Sequence, residues 1–225
     1  MRAWIYDRAL MWLTPGWYGE VLERLPAGSR VLDVGIGTGG AIARNAQLIR
    51  AKDLRILGLD VDVDYLERCE QVLSRAGLSE YVTPRLESVY EHQGGPYDAV
   101  YFSASFPLLP DPVRALQHVI TLLAPDRRVF FTQTFHHRKS KVLEKLKPML
   151  HRFTTMHFGR VTYEDDFRRV LEEAGLELEE LATMGRHTQH SSFRLAVGRP
   201  RAYQDITDAT LRDRSRPTVS GQLAP

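Results

Sequence analysis

The fold is decided by one stretch of the sequence, Val31-Leu32-Asp33-Val34-Gly35-Ile36-Gly37-Thr38-Gly39-Gly40. It begins as a short, mostly apolar run, ends in glycines, and is followed at residues 41–49 by apolar residues at helical spacing. This order predicts a buried strand, a tight loop and a helix. Glycines in such a loop let the backbone approach a ligand closely and present free N–H groups to it.

The alternation of strand and helix continues along the chain. Strands are predicted at residues 30–34, 54–59, 81–86, 99–102 and 128–134, and helices at residues 41–49, 63–76 and 112–123. Alternation at this spacing is typical of βαβ units, in which helices cover both faces of a parallel sheet. We therefore predict an α/β fold with a doubly wound, mostly parallel sheet.

Helices are predicted before the first strand. They cover residues 3–13 and 17–25, and Pro15-Gly16 interrupts them. Together they predict that residues 1–28 form a helical cover over the sheet.

The alternation stops after the fifth strand. We expect a basic helix over residues 137–150 and a further helix that Thr162 caps and Gly175 ends. Strands are then predicted at residues 176–184 and 192–198. The loop between them is short, which makes the pair antiparallel.

The predicted elements divide the chain into two regions. Residues 1–203 are expected to form a single domain, and residues 204–225 are expected to form a polar tail.

The composition argues against several classes of protein. Thirty Lys and Arg against 28 Asp and Glu leave a net charge of +2, whereas domains that bind nucleic acid usually carry a marked basic excess. The single cysteine, Cys69, excludes an intramolecular disulfide framework and a cysteine-based zinc site. No apolar run is long enough for a transmembrane helix, and Asp7-Arg8 interrupts what would be a secretory signal, so a cytoplasmic location is expected.

Two acidic residues accompany the glycines. Asp33 lies two residues before Gly35, where its charge would repel a pyrophosphate and attract an ammonium group. Asp60 ends the second strand, where a carboxylate can accept hydrogen bonds from ribose hydroxyls. An ammonium and a ribose with no phosphate between them describe S-adenosylmethionine (SAM). Gly35, Gly37 and Gly40 also satisfy G-x-G-x-x-G, which keeps an NAD(P)-dependent oxidoreductase as an alternative.

The segment Asp33-Val34-Gly35-Ile36-Gly37-Thr38-Gly39 resembles motif I of class I SAM-dependent methyltransferases, and Asp60 resembles the acidic residue after their second strand. The likeness covers roughly residues 30–135 and, more loosely, the rest of the chain. It implies a seven-stranded sheet that ends in an antiparallel hairpin, with SAM as the cofactor. The residues that it places at the cofactor are Asp33, Gly35, Gly37, Gly39, Asp60, Val61, Glu87, Ser88 and Ser103.

The sequence departs from the pattern of this family at two places. Glu87-Ser88 stands where the commoner pair on the adenine side contains Asp, and Asp126-Arg127 replaces the usual Gly-Gly turn before the fifth strand. A SAM-binding sensor or subunit without transferase activity is a second alternative, although these two departures are too mild to favour it.

The acceptor is expected to be a small molecule that is methylated on O, S, N or C. Ser103-Ala104-Ser105-Phe106-Pro107 stands where relatives that methylate bases or glutamine carry Asn-Pro-Pro-Tyr or Asp-Pro-Pro-Tyr. Residues 138–150 form a basic amphipathic pattern that could contact a membrane surface, which would favour a lipid or quinone-like acceptor. The sequence does not predict the oligomeric state.

Candidates for the acceptor site follow the later strands or lie in the N-terminal cover. His136 comes directly after the fifth strand and is the candidate general base if the acceptor must lose a proton. Tyr6-Asp7 resembles the Tyr-Asp of the N-terminal cover in related small-molecule methyltransferases. The substrate and cover candidates are Tyr6, Trp12, Tyr18, Ser105 and His137.

A metal site is not expected. Four histidines are available for such a site, namely His136, His137, His151 and His157. They lack the compact spacing of metal ligands, and no cysteines accompany them.

Overall fold

A computed structural model of the protein describes residues 14–136, 162–185 and 190–201. The strands are β1 (Arg30–Val34), β2 (Arg55–Asp60), β3 (Val82–Leu86), β4 (Tyr97–Ser103), β5 (Leu123–His136), β6 (Leu176–Thr183) and β7 (Ser191–Pro200). They form one seven-stranded sheet in the order β3-β2-β1-β4-β5-β7-β6. The first five strands are parallel, and β7 is antiparallel to both β5 and β6. The predicted fold class is confirmed.

Helices cover both faces of the sheet. They are α1 (Thr14–Arg24), α2 (Gly40–Arg44), α3 (Ala46–Ala51), α4 (Val63–Arg75), α5 (Pro112–Leu122) and α6 (Glu164–Glu173), with a 3₁₀ turn at Phe106–Leu108. The sheet order reverses between β1 and β4, and ligands of open α/β sheets bind beyond the carboxyl ends of the strands at such a switch point. The glycine loop begins at that point.

Two helix boundaries differ from the sequence prediction. Pro15-Gly16 does not precede the helix but lies in the first turn of α1, where the missing N–H of proline has no intrahelical partner to lose. The single helix predicted at residues 41–49 is two helices, because the chain breaks at Asn45, with φ −101° and ψ 18°. The Asn45 side chain donates to the carbonyl of Ala41, which satisfies a helix-end acceptor at the break.

Thr162 was predicted to cap α6, and this prediction is wrong. Tyr163 occupies the N-cap position, and Thr162 instead forms a parallel bridge with Phe135. The carbonyl of Thr162 accepts from the backbone N–H of His136, which ties the end of β5 to the start of α6. The predicted elements at residues 3–13 and 137–150, and the tail at residues 204–225, lie outside the described residues.

The fifth strand is longer than predicted. It runs from Leu123 to His136, and its register against β4 shifts between Tyr97 and Ala99. Asp126 adopts φ +59° within this irregular part. Asp tolerates the left-handed region better than most residues, so Asp126 can stand where the family that the sequence resembles has glycine.

Side chains on the two faces of the sheet form separate cores. On β1, Val31 belongs to the core under α1, whereas Leu32 and Val34 belong to the core under α5 and α6. Asp33 therefore faces α1, because successive side chains of a strand point to opposite faces. An aromatic cluster fills the other face, with the ring of Phe167 edge-on to three rings at 5.2–5.7 Å, those of Phe106, Phe131 and Phe135.

Gly58 lets the glycine loop close onto β2. A Cβ at this position would lie 2.1 Å from Ile36 Cδ1 and 2.8 Å from Ile36 Cβ, and Ile36 is buried. The loop and the strand could not keep this distance with a larger residue at position 58.

Gly58→Ala is therefore expected to lower the free energy of unfolding by about 1–3 kcal/mol through overpacking. Gly198→Ala is the matched control, because it is also a strand glycine but its Cβ would meet neighbours only at 3.7–3.8 Å. Urea unfolding of both variants measures the difference. Equal stabilities would contradict the packing of Ile36 on Gly58.

Candidate functional site

The loop between β1 and α2 is bound to the end of β2 by its backbone. The N–H groups of Gly35 and Ile36 both donate to the carbonyl of Leu59, at 2.8 and 3.0 Å. Gly35, Gly37 and Gly39 have φ values of +81°, +59° and +70°, which L side chains rarely adopt. All three predicted glycines therefore serve the loop conformation itself.

The three glycines differ in what lies beside them. A Cβ at Gly35 would lie 2.5 Å from Ser105 Cβ, and one at Gly39 would lie 2.7 Å from Cys69 Sγ. Apart from Gly37 and its two chain neighbours, no heavy atom of the described chain lies within 4 Å of the position of a Cβ at Gly37. The loop is thus closely packed at both ends and leaves room for a ligand at its middle glycine.

Asp60 holds this middle glycine in place. Its Oδ2 accepts from the N–H of Gly37 at 2.8 Å, and its Oδ1 accepts from the N–H groups of Val61 at 2.8 Å and Asp62 at 3.1 Å. A carboxylate has about four acceptor positions. With three of them used by backbone amides, one position on Oδ2 is left for a ligand hydroxyl.

Asp33 is a buried carboxylate with one partner. Its side chain is 1% exposed, its Oδ2 accepts from the Tyr18 hydroxyl at 2.6 Å, and its Oδ1 has no hydrogen-bond partner among the described residues. Burial raises the pKa of Asp33 to about 7, the bond from Tyr18 opposes the rise, and the negative charge of Asp60 adds to it. A buried polar atom without a partner is costly, so Oδ1 is suited to receive a cationic donor from a ligand.

Tyr18 was predicted to belong to the cover or the substrate site, and the structure places it against Asp33. Its ring packs edge-on to Tyr101 with centroids 4.9 Å apart, and the Tyr101 hydroxyl bonds Thr132 Oγ1 at 2.6 Å. Burial, with the neighbouring Asp33, raises the pKa of Tyr18 well above its ordinary value, so its hydroxyl stays protonated as a donor. The sequence offered no sign of this pairing, because the two residues lie on different elements.

The predicted adenine pair follows β3. Glu87 Oε2 bonds His92 Nδ1 at 2.9 Å, and His92 Nε2 bonds the Tyr97 hydroxyl at 2.7 Å. Ser88 Oγ accepts from the N–H of Tyr90 at 3.3 Å. His92 is 1% exposed and fixes the carboxylate of Glu87, a role that a lone histidine in the sequence could not indicate.

Two apolar side chains are exposed at the same edge of the sheet. Val61 is 74% exposed and Leu86 is 58% exposed, although such residues are usually buried. Leu86 is the register partner of Asp60, which immediately precedes Val61. Exposed apolar groups beside the carboxylate of Asp60 suit a planar heterocycle attached to a ribose.

The segment after β4 supports the loop from the other side. Ser105 is buried and its hydroxyl donates to the carbonyl of Val34, so this predicted substrate residue already has a structural contact. Ala104 has φ +57°, a conformation that costs free energy for any residue with a Cβ. Ser103, which ends β4, is half-buried and is the more accessible of the two serines.

His136 ends β5 and lies opposite Ser191 of β7. Strand alternation places it on the same sheet face as Thr132 and therefore on the face of Tyr18 and Asp33. The other acceptor-site candidates, Tyr6, Trp12 and His137, lie outside the described residues. Within the described ranges, no three or more His, Cys, Asp or Glu side chains are grouped to hold a metal ion.

A cavity of about 540 Å³ lies between α1 and the β6–β7 hairpin. Trp17 and Phe193, whose rings are 5.2 Å apart, line it together with Leu195 and Met184. Its volume is in the range of small-molecule sites. None of its described lining residues comes from the glycine loop.

Comparison with known proteins relates the chain to methyltransferases. A family model described as a methyltransferase domain matches residues 15–181. A ubiquinone biosynthesis O-methyltransferase of Burkholderia pseudomallei is 26% identical over 175 residues, which cover 75% of this chain and 73% of the relative.

Solved structures share the fold at lower identity. The mitomycin 7-O-methyltransferase MmcR superposes with a TM-score of 0.68 at 21% identity, over 88% of this chain and 56% of that one. A SAM-dependent methyltransferase from Aquifex aeolicus superposes with a TM-score of 0.61 at 16% identity, over 81% and 88% of the two chains. The matched family model covers most of the chain, and the chain therefore belongs to the methyltransferase-domain family, as a class I methyltransferase whose cofactor is SAM.

Proposed function

We propose that this methyltransferase transfers the methyl group of SAM to a hydroxyl oxygen of a small molecule. The near-neutral charge and the sequence Ser103-Ala104-Ser105-Phe106-Pro107 after β4 support a small-molecule acceptor. The choice of oxygen is supported by the relatives at 25–26% identity, which are named O-methyltransferases of ubiquinone biosynthesis. A quinone-like phenol is accordingly the first acceptor class to test.

The cofactor site is proposed on one observation above all, the buried oxygen Oδ1 of Asp33 that has no partner among the described residues. In this proposal Asp33 receives the ammonium group of SAM, and Asp60 receives a ribose hydroxyl at the acceptor position left on Oδ2. Val61 contacts the adenine, Glu87 and Ser88 bind its edge, and the open side of Gly37 accommodates the amino-acid part.

The residues of the chain contribute mainly alignment. When bound, SAM would supply a methyl group whose carbon is attacked in line by the acceptor oxygen while its bond to sulfur breaks, so that S-adenosylhomocysteine is the leaving group. Holding the two reactants together can contribute several kcal/mol to the lowering of the barrier. We assign the proton of the acceptor hydroxyl to His136, and the positioning of the acceptor to Ser103.

Contact of the enzyme with a membrane surface would favour a lipid or quinone-like acceptor. No helix in the described part of the chain has both the length and the apolar character needed to cross a membrane. The basic segment at residues 138–150, which the sequence analysis connected with a membrane surface, lies outside the described residues.

We expect S-adenosylhomocysteine to raise the melting temperature and NADH to leave it unchanged. A ligand that binds only the folded state stabilises it by about 2.7 kcal/mol at 100 times its Kd. The buried carboxylate of Asp33 should exclude a pyrophosphate from this loop. Stabilisation by NADH alone would contradict the cofactor site.

Gly37→Ala provides an internal comparison for this experiment, and Gly28→Ala is its matched control. Both glycines have positive φ and open space around the position of a Cβ, so each substitution should cost about 1–2 kcal/mol of stability. Only Gly37→Ala should weaken the binding of S-adenosylhomocysteine, because only Gly37 lies in the glycine loop. Equal binding by the two variants would remove Gly37 from the site.

Asp60→Ala is expected to weaken SAM binding by about 1.5–3 kcal/mol, the scale of a hydrogen bond to a charged group. It should also lower stability, because the amides of Gly37, Val61 and Asp62 lose their acceptor. Asp62→Ala is the control, since Asp62 caps α4 and its loss should cost about 1 kcal/mol of stability without affecting affinity. Calorimetric titration checks both, and unchanged affinity in Asp60→Ala would disprove the ribose contact.

His136→Ala should lower the methylation rate of a phenolic acceptor by about 10²–10⁴-fold and leave SAM affinity nearly unchanged. It should also remove the rise in rate across pH 6–7 that a histidine base produces. His118→Ala is the control, because His118 bonds the carbonyl of His92 away from β5. Single-turnover rates with both substrates saturating measure the effect, and a wild-type pH profile in His136→Ala would leave alignment as the source of catalysis.

A further inference from the structure

Asp33 and Tyr18 form a buried pair between β1 and α1. The hydroxyl of Tyr18 donates to Asp33 Oδ2 at 2.6 Å, and the two residues are 3% and 1% exposed. The other carboxylate oxygen has no partner among the described residues. The carboxylate thus has one oxygen bonded to the protein, whereas the hydrogen-bonding capacity of its other oxygen is unused within the described residues.

We propose that Tyr18 is a positioning residue for cofactor binding: its hydroxyl favours the charged form of Asp33 and leaves Oδ1 for the cofactor's ammonium group. This inference rests on the proposed role of Asp33 in the SAM site. It adds a residue of the N-terminal cover to that site, one that acts through Asp33 and not by contact with the cofactor.

The surroundings of Tyr18 fix its hydroxyl in this role. Its ring is held edge-on by Tyr101 of β4, and Tyr101 is itself held by the bond between its hydroxyl and Thr132. A buried tyrosine hydroxyl usually has a hydrogen-bond partner, and the Tyr18 hydroxyl donates to Asp33 Oδ2 and also interacts with the side chain of Ser103. The pair is therefore preorganised before any ligand binds.

The charged and titratable groups around Asp33 act in opposite directions. Burial and the charge of Asp60 on β2 oppose ionisation, and only the bond from Tyr18 lowers the pKa. Tyr101 on β4 and Cys69 on α4 remain neutral, because burial raises the pKa of Tyr101 far above its ordinary value and that of Cys69 to about 12. Of these described groups, Tyr18 is the one that stabilises the charged carboxylate.

The sign of the resulting pH dependence follows from linkage. An ammonium group binds the charged form of Asp33. The affinity for the cofactor therefore falls as the pH is lowered through the pKa of Asp33 in the free protein, about 7. Removal of the Tyr18 hydroxyl would raise that pKa further. The loss of affinity in Tyr18→Phe would then begin at a higher pH than in the wild type.

The test is the ratio of the Kd for S-adenosylhomocysteine in Tyr18→Phe to that in the wild type, measured from pH 6 to pH 9. The titration of the ligand itself cancels in this ratio. We expect a ratio of about 10–100 at pH 6, corresponding to a hydrogen bond to a charged group, and a ratio that approaches one at pH 9. A ratio that does not change with pH would mean that Tyr18 has only a structural role, and would overturn the proposal.

Two further variants isolate the carboxylate. Tyr101→Phe removes a neighbouring buried hydroxyl that bonds Thr132 and not Asp33. The ratio of its Kd for S-adenosylhomocysteine to that of the wild type should therefore not vary with pH. In an Asp33→Asn background, addition of Tyr18→Phe should produce no pH-dependent change, because the titrating group is absent. A pH-dependent effect of Tyr18→Phe in that background would contradict the proposal.

A measurement on the wild type keeps the proposal testable if Tyr18→Phe does not fold. Titration calorimetry at pH 6.5 in buffers of different ionisation enthalpy should show that binding of S-adenosylhomocysteine releases more than half a proton per site. Binding without proton release would overturn this inference alone. Absence of any binding by the folded wild type would instead overturn the proposed cofactor site.

Discussion

The close approach of the loop after β1 to three other elements is the constraint on which the site depends. Gly35 packs against Ser105 after β4, Gly39 packs against Cys69 of α4, and Gly58 of β2 packs against Ile36 of the loop itself. Any Cβ at these glycines would separate the elements. Because they meet, the backbone amide of Gly37 reaches Asp60, and the loop acquires one conformation with an open middle.

A second consequence concerns the acid at the end of β1. Closing the loop and covering it with α1 buries Asp33, and burial makes its charged form costly. The folded chain takes up a proton at Asp33 as the pH falls below about 7, whereas an unfolded Asp remains charged to about pH 4. The free energy of unfolding therefore falls as the pH rises from about 4 to about 7, and the full cost of the charged carboxylate is present above pH 7. A bound ammonium group would offset that cost, so the same burial that strains the free protein favours a cationic ligand.

Much of the fold could be predicted from periodicity, and less of the site. All seven strands were predicted, and the buried ones among them, such as β1 and β4, carry a short apolar run whatever their neighbours are. The break at Asn45 was not predicted, since the residues on both sides keep helical spacing and only a side-chain bond to Ala41 reveals it. The position of Pro15 inside α1 depended on where the helix begins, which sequence patterns define poorly.

The site residues that were missed share a physical reason. The pairing of Tyr18 with Asp33 and the support of Glu87 by His92 join side chains that are buried together only after the sheet has formed. Neither pair has a characteristic spacing. The strained backbone of Ala104 could not be predicted from the sequence either, because alanine has no preference for a positive φ. Motifs predict the residues that would contact a cofactor, whereas the side chains that support those residues could be found only in the three-dimensional arrangement.

The arrangement also explains why a loop that satisfies G-x-G-x-x-G belongs to a methyltransferase. In a dinucleotide site the glycine loop and the following helix offer their N–H groups to a pyrophosphate. Here the amide of Gly37 donates to Asp60, those of Gly35 and Ile36 donate to Leu59, and Asp33 lies beneath the loop with a buried oxygen. A pyrophosphate would meet two carboxylates and amides that already have acceptors. The glycines allow the backbone conformation of the loop, and in the proposed site the two acidic residues favour a ligand that is cationic at one end and carries a ribose at the other.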